Sequence, residues 1–98
     1  MPSIVNAALA RAGYAFVTSR NCAACHNISG TSAGGNVGPD LTHLASRRTI
    51  AGTMPMSEGN LYGWVADPQS LKAGNHMPTI GLEPDQLHAV VAYLETLK

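Results

Sequence analysis

The sequence predicts an all-α domain of short helices and long loops, and three observations predict it. Both terminal segments carry apolar residues at helical spacing, a shorter segment between them does the same, and no run alternates convincingly as a strand. The first helix is expected from about Ser3, an acceptable N-cap, to Thr18, with Val5, Leu9, Ala12 and Phe16 on one face. Gly13 lies beside that face, where glycine costs roughly 1 kcal/mol relative to alanine. Either the helix tolerates it, or another helix crosses there and only a hydrogen side chain fits.

The last helix is expected over Pro84 to Lys98. Pro84 suits the first helical position, Asp85 and Lys98 complement the helix dipole, and Leu87, Val90, Val91, Leu94 and Leu97 form a stripe flanked by Tyr93. The middle segment NLYGWVADP (60–68) reads as a short helix capped by Asn60. Leu61, Trp64 and Val65 share its face, and Asp67-Pro68 ends it. A further helical turn follows Asp40 through Leu41 and Leu44. GTSAGGNVGP (30–39) and SLKAGNHMPTIG (70–81) are loops by composition.

Ninety-eight residues make a single domain over 1–98, with a thin polypeptide core. One Phe, one Trp and three Tyr supply little ring volume, and ten Gly and six Pro favour loops, as in a domain whose interior is partly filled by something other than side chains. Six basic residues balance six acidic ones, which argues against a nucleic-acid partner. Arg11, Arg20, Arg47 and Arg48 face only Asp40 in the first half, while Glu58, Asp67, Glu83, Asp85 and Glu95 dominate the second. No apolar run approaches the ~18 to 20 residues of a membrane span. The N-terminus lacks the charged and apolar regions of a signal peptide, so an extracytoplasmic role implies a mature form or an excised fragment.

The two cysteines of the chain, Cys22 and Cys25, sit in NCAACHN (21–27) directly before His26. A zinc finger needs a second ligand pair, and His43, His76 and His88 form none. A redox dithiol needs a βαβ context, and a disulfide here would close a loop too small to matter entropically. None of these explains His26. Covalent haem attachment does: each thiol of Cys-x-x-Cys-His adds to one porphyrin vinyl group, and the histidine becomes an axial iron ligand. For the second axial position the candidates are Met54, Met56, Met77, His43, His76 and His88. Met77 is preferred because it lies in a loop before the final helix, where its thioether can approach opposite His26. Met54, also followed by proline, is the rival, and any one methionine can be core filler.

CAACH (22–26), then GPDL (38–41), then a late MP (77–78) before an amphipathic helix, resembles a class I cytochrome c over essentially the full chain. The resemblance implies the class I cytochrome c fold: crossing N- and C-terminal helices, short middle helices and long loops around one covalently bound haem c. It also gives Gly13 and Tyr93 a role at the crossing. It implies that the Pro39 carbonyl accepts a hydrogen bond from His26, that Leu41 packs on the porphyrin, that Arg47 of SRR (46–48) lies near a haem propionate, and that Trp64 lies close to the methionine ligand. HNISGTSAGGNVGPDLTHLASRRTIAGT (26–53) and NLYGWVADPQSLKAGNHMP (60–78) resemble, more narrowly, the C-terminal cytochrome c domain of subunit II of caa-type haem-copper oxidases. The transmembrane hairpin and dicopper part of that subunit are not in this sequence, so the resemblance implies one domain of a larger polypeptide.

The function expected is one-electron transfer by an iron held between His26 and Met77, with thioether ligation and burial both raising its potential. The domain would not be an enzyme on its own. Under the resemblance it takes electrons from a cytochrome c or a quinol–cytochrome c reductase and passes them to the dicopper centre of the oxidase. It works on the periplasmic side of a bacterial inner membrane. A free-standing periplasmic shuttle is the alternative, although lysines only at 72 and 98 leave no basic ring for steering. A haem enzyme or gas sensor with a labile Met77 is a third reading, distinguished by ready carbon monoxide binding.

Overall fold

The computed structural model describes residues 4–19, 21–36, 38–52, 54–72, 74, 77 and 81–98, the side chains of 4–7, 19 and 21 excepted. Helix α1 spans Ile4–Ser19, α2 Asn21–Cys25, α3 Glu58–Ala66, α4 Pro68–Leu71 and α5 Pro84–Leu94, with a 3₁₀ turn at Leu44–Ser46. Strands β1 (Thr49–Ile50) and β2 (Met54–Pro55) pair antiparallel, Thr49 opposite Pro55 and Ile50 opposite Met54. Two residues per strand are too few to show alternation in the sequence, which predicted no strand. Ala51 and Gly52 turn the chain between them with positive φ of 54° and 74°.

The frame is the crossing of α1 and α5. A Cβ built on Gly13 would sit 1.9 Å from the Ala89 carbonyl oxygen and 2.8 Å from the Tyr93 Cβ, so the two backbones touch where the side chain is missing. Tyr14 meets Tyr93 edge to face, with centroids 5.5 Å apart. The inward stripe of α1 is therefore Gly13 and Val17, buried, with Leu9 and Phe16 half-buried beside them. Ala12, expected on the inner face, is exposed. Val5 and the cap at Ser3 lie outside what is described. On α5, Ala89, Val90, Val91, Tyr93 and Leu94 are buried, while Leu87 and Leu97 are half-buried. Tyr93 thus belongs to the core, because the helix crossing draws it in.

Caps explain the remaining helix ends. Ser57 caps α3 by accepting from the Asn60 N–H at 3.1 Å, and the Asn60 side chain reaches back to the Pro55 carbonyl, so Asn60 is not the cap. Asp67-Pro68 ends α3 as expected, but the same two residues cap and open α4, a stretch read from the sequence as partly loop. Gln86 Oε1 accepts from the Glu83 N–H before α5. That helix stops at Leu94, short of the predicted Lys98, because Thr96 donates to the Tyr93 carbonyl through both N–H and hydroxyl. The tail then docks on the middle of the chain. The Ala45 N–H donates to Leu97 O at 2.7 Å, and His43 Nδ1 lies 2.9 Å from Lys98 O. Among the described residues no helix is long and apolar enough to cross a membrane.

The long loop between α2 and β1 is ordered by Asp40. Its carboxylate accepts from the Thr42 N–H at 2.8 Å, the Thr42 hydroxyl and the Asn27 amide at 3.0 Å, and Thr42 in turn accepts from the Ser29 N–H. Arg47 donates to the Asp40 carbonyl. Hydrogen bonds from Thr42 and then Asn27, with the Arg47 charge as a smaller cause, pull the Asp40 carboxyl down from 3.8 to about 2, against a slight opposing effect of desolvation.

Two outcomes follow from these contacts. Gly13→Ala should lower stability by about 2 kcal/mol despite its better helix propensity, because the new methyl meets backbone that cannot rotate away; thermal unfolding reads this directly. A carboxyl depressed from 3.8 to about 2 stabilises the fold above pH 4 and stops doing so as pH falls to 2. Asp40→Asn should therefore melt below the parent at pH 7, and the gap should close across that acid window. The side chain is fully exposed, so the gap is small.

Candidate functional site

Helix α2 is five residues long and carries both thiols. Positions three apart share a helix face, so Cys22 and Cys25 present their sulfurs to the same side. Both are free and half-buried. Burial pushes the Cys22 thiol up from 9.0, a backbone hydrogen bond opposes this, and the neighbouring Cys25 adds to the rise. The helix ends at Cys25, and the N–H of the following His26 donates to Cys22 O at 2.8 Å.

The imidazole is held from the other side of the loop. His26 Nδ1 lies 2.7 Å from the Pro39 carbonyl oxygen. A carbonyl can only accept, so Nδ1 is the donor, and in the neutral ring the lone pair sits on Nε2. Gly38 makes the approach possible, since a Cβ there would lie 2.5 Å from His26 Cε1 and 2.8 Å from Nδ1. Gly35 does the same for the preceding stretch of the loop, where a Cβ would meet the Ala24 carbonyl at 2.5 Å. Backbone bonds stitch the loop onto α2: Gly38 N–H to Cys25 O at 2.7 Å, Gly35 N–H to Ala23 O and His26 O, and Leu41 N–H to Asn27 O. Gly35 and Gly38 are thus close-approach positions of this loop.

The structure draws Cys22, Cys25, His26, Pro39, Leu41 and Arg47 into one hydrogen-bonded region. Leu41 is half-buried against the core, and Arg47 is exposed with its guanidinium on the Asp40 carbonyl. Trp64 is half-buried on α3 and packs against the same core. Met77 is half-buried, and its carbonyl accepts from Gln69 Nε2 at 2.9 Å. Met54 is fixed in β2 opposite Ile50, and Met54 and Met56 both pack against the core. Of the rival histidines, His43 is tied to the chain's end and His76 lies outside the described residues. His88 is exposed on α5, but it is engaged: its Nδ1 lies 2.8 Å from the Tyr62 hydroxyl, with the rings edge to face. Sequence reasoning missed this link, because nothing in the spacing of 62 and 88 joins them. Two unbridged thiols on one helix face, followed by an imidazole oriented by the Pro39 carbonyl, form a donor set that fits a covalently attached porphyrin and its iron.

Comparison with known proteins agrees. Residues 10–98 match the family model for cytochrome c. The chain is 38% identical over 91 residues to cytochrome c oxidase subunit 2 of Alkalihalophilus pseudofirmus, covering 92% of this chain and 26% of that protein. It therefore corresponds to only a fraction of the oxidase subunit's length. It is 36% identical over 90 residues to cytochrome c2 iso-2 of Magnetospirillum molischianum, covering 79% of this chain and 91% of that protein. Among solved structures, the c-type cytochrome SorU from Sinorhizobium meliloti superposes with a TM-score of 0.64 at 22% identity, covering 93% of this chain and 92% of that one. That likeness bears on the fold. The chain belongs to the cytochrome c family, whose cofactor is a covalently bound haem c.

Proposed function

We propose that this electron-transfer chain works as the cytochrome c domain, over residues 1–98, of a membrane-bound haem-copper oxidase subunit, receiving electrons from a cytochrome or a quinol–cytochrome c reductase and delivering them to a dicopper centre. The observation that carries the site is the 2.7 Å contact between His26 Nδ1 and the Pro39 carbonyl. It fixes the ring, its tautomer and the direction of its Nε2, which is what an axial ligand requires. The haem supplies the one-electron couple when bound. Cys22 and Cys25 would anchor it as thioethers, and His26 and Met77 would supply the two protein donors to its iron. Leu41 would pack on the porphyrin, Trp64 would lie close to Met77, and Arg47 would offer a positive charge toward a propionate. A sulfur donor favours the reduced iron, and burial adds to this.

The oxidase assignment rests on similarity to oxidase subunit 2 over 92% of the chain, and on the charge pattern. With six cationic and six anionic residues the surface offers little long-range steering. A domain tethered beside its acceptor does not need it, since the effective concentration is already high. The tether would place the domain on the periplasmic side of a bacterial inner membrane. A free-standing periplasmic shuttle is the second reading, favoured by the 91% coverage of a cytochrome c2 by this chain.

Three measurements decide these points. Matured protein should weigh more than its polypeptide by one haem. Met77→Ala should abolish the weak red charge-transfer band of the oxidised spectrum and let the reduced protein bind carbon monoxide; Met54→Ala should do neither. Electron transfer to a separate dicopper acceptor should change by less than about threefold between low and physiological ionic strength. A steep dependence would favour the shuttle.

A further inference from the structure

One side chain braces the main chain at Gly74 and at Met77. Gln69 is the second residue of α4. Its Oε1 accepts from the Gly74 N–H at 3.3 Å, and its Nε2 donates to the Met77 carbonyl at 2.9 Å. One planar carboxamide therefore spans the backbone on either side of residues 75 and 76, with the donor turned to one end and the acceptor to the other. Gly74 has a φ of +83°, the left-handed geometry that the turn requires. Gln69 is half-buried, so its amide is partly shielded from competing water.

The platform under Gln69 is itself fastened. Asp67 Oδ1 accepts from the Ser70 N–H at 3.3 Å, the Lys72 N–H closes α4 on the Pro68 carbonyl at 3.0 Å, and Lys72 Nζ donates to Ala51 O in the β1–β2 turn at 3.1 Å. Pro68 is among the most deeply buried residues of the fold. The brace thus runs from the core, through a four-residue helix, to the main chain of Met77.

We propose that Gln69 is a positioning residue for Met77: its carboxamide holds the Met77 main chain where the thioether reaches the iron, and so sets how readily that bond opens. The inference rests on the reading of Met77 as axial ligand. Gln69 itself does not touch the iron. Its effect is on the competition between Met77 and an added ligand, since releasing the thioether must either carry the brace along or break it.

The test uses the matured, haem-loaded protein, with imidazole as the competing ligand of the oxidised form. Gln69→Leu removes both hydrogen bonds at similar size, and Gln69→Glu keeps an acceptor for Gly74 while losing the donor to Met77. Both variants should bind imidazole about tenfold more tightly than the parent, which corresponds to about one net hydrogen bond. Amide exchange at Gly74 should accelerate in Gln69→Leu and stay near the parental rate in Gln69→Glu. Ser57→Ala, which removes the cap of α3, serves as the control for general loosening. Parental imidazole affinity in both Gln69 variants overturns the inference, and so does an equal gain in Ser57→Ala. Met77→Ala separates this from the ligand assignment. If it leaves the red band in place, the reading of Met77 fails; if it removes the band while the Gln69 variants bind as the parent does, only the brace fails. In the Met77→Ala background, Gln69→Leu should leave imidazole affinity unchanged.

Discussion

The hydrogen bond between His26 and the Pro39 carbonyl is the constraint around which the rest is arranged. It joins the end of a five-residue helix to a loop thirteen residues further on, and it does so through a ring whose other nitrogen has to stay free. Such a contact is only as good as the loop that delivers the carbonyl. The Asp40 carboxylate, Thr42, Asn27 and Arg47 secure that loop from below, and backbone bonds from Gly35, Gly38 and Leu41 secure it from the side of α2. The loop lacks helix and strand over most of its length, yet many of its polar groups are paired, and for that reason it can serve as a rigid element of a site.

The crossing of α1 and α5 supplies the solid ground to which this loop is attached. Ile28 and Ala33 lie in the same buried cluster as Val17, Val90, Val91 and Leu94, so the loop that follows the thiols is anchored in the helical frame. The buried cluster is aliphatic, apart from Tyr93. Backbone approach at Gly13 compensates by letting the two longest packed helices close to contact distance, which increases dispersion per residue without large side chains. A chain with a thin interior therefore has reason to hold a bulky prosthetic group by covalent bonds.

The two axial donors proposed for the iron are supported by different physics. His26 is fixed through its ring. The brace on Met77 acts through the backbone, by way of the Gln69 carboxamide and the capped helix beneath it. Imidazole orientation follows from a ring hydrogen bond, whereas a flexible thioether is best controlled by fixing the main chain that bears it.

What the sequence by itself determined is whatever is written locally. The thiol–thiol–histidine spacing, the helical periodicity of both ends, Pro84 at a helix start and Asp67-Pro68 at a helix end are each set by residues within a turn or two, and each can be read without the fold. Tertiary structure alone decided the rest. It put Gly13 and Val17 on the inner face while leaving Ala12 outside, made Tyr93 a core residue, and paired Tyr62 with His88. It also turned Ser57 into the cap of α3, opened α4 at Pro68, and aimed Gln69 at both Gly74 and Met77. These outcomes depend on which groups arrive from distant regions of the chain, or on which of several competent neighbours wins a cap. Local propensity is nearly indifferent between such alternatives, and the contacts made in the folded chain are what separate them.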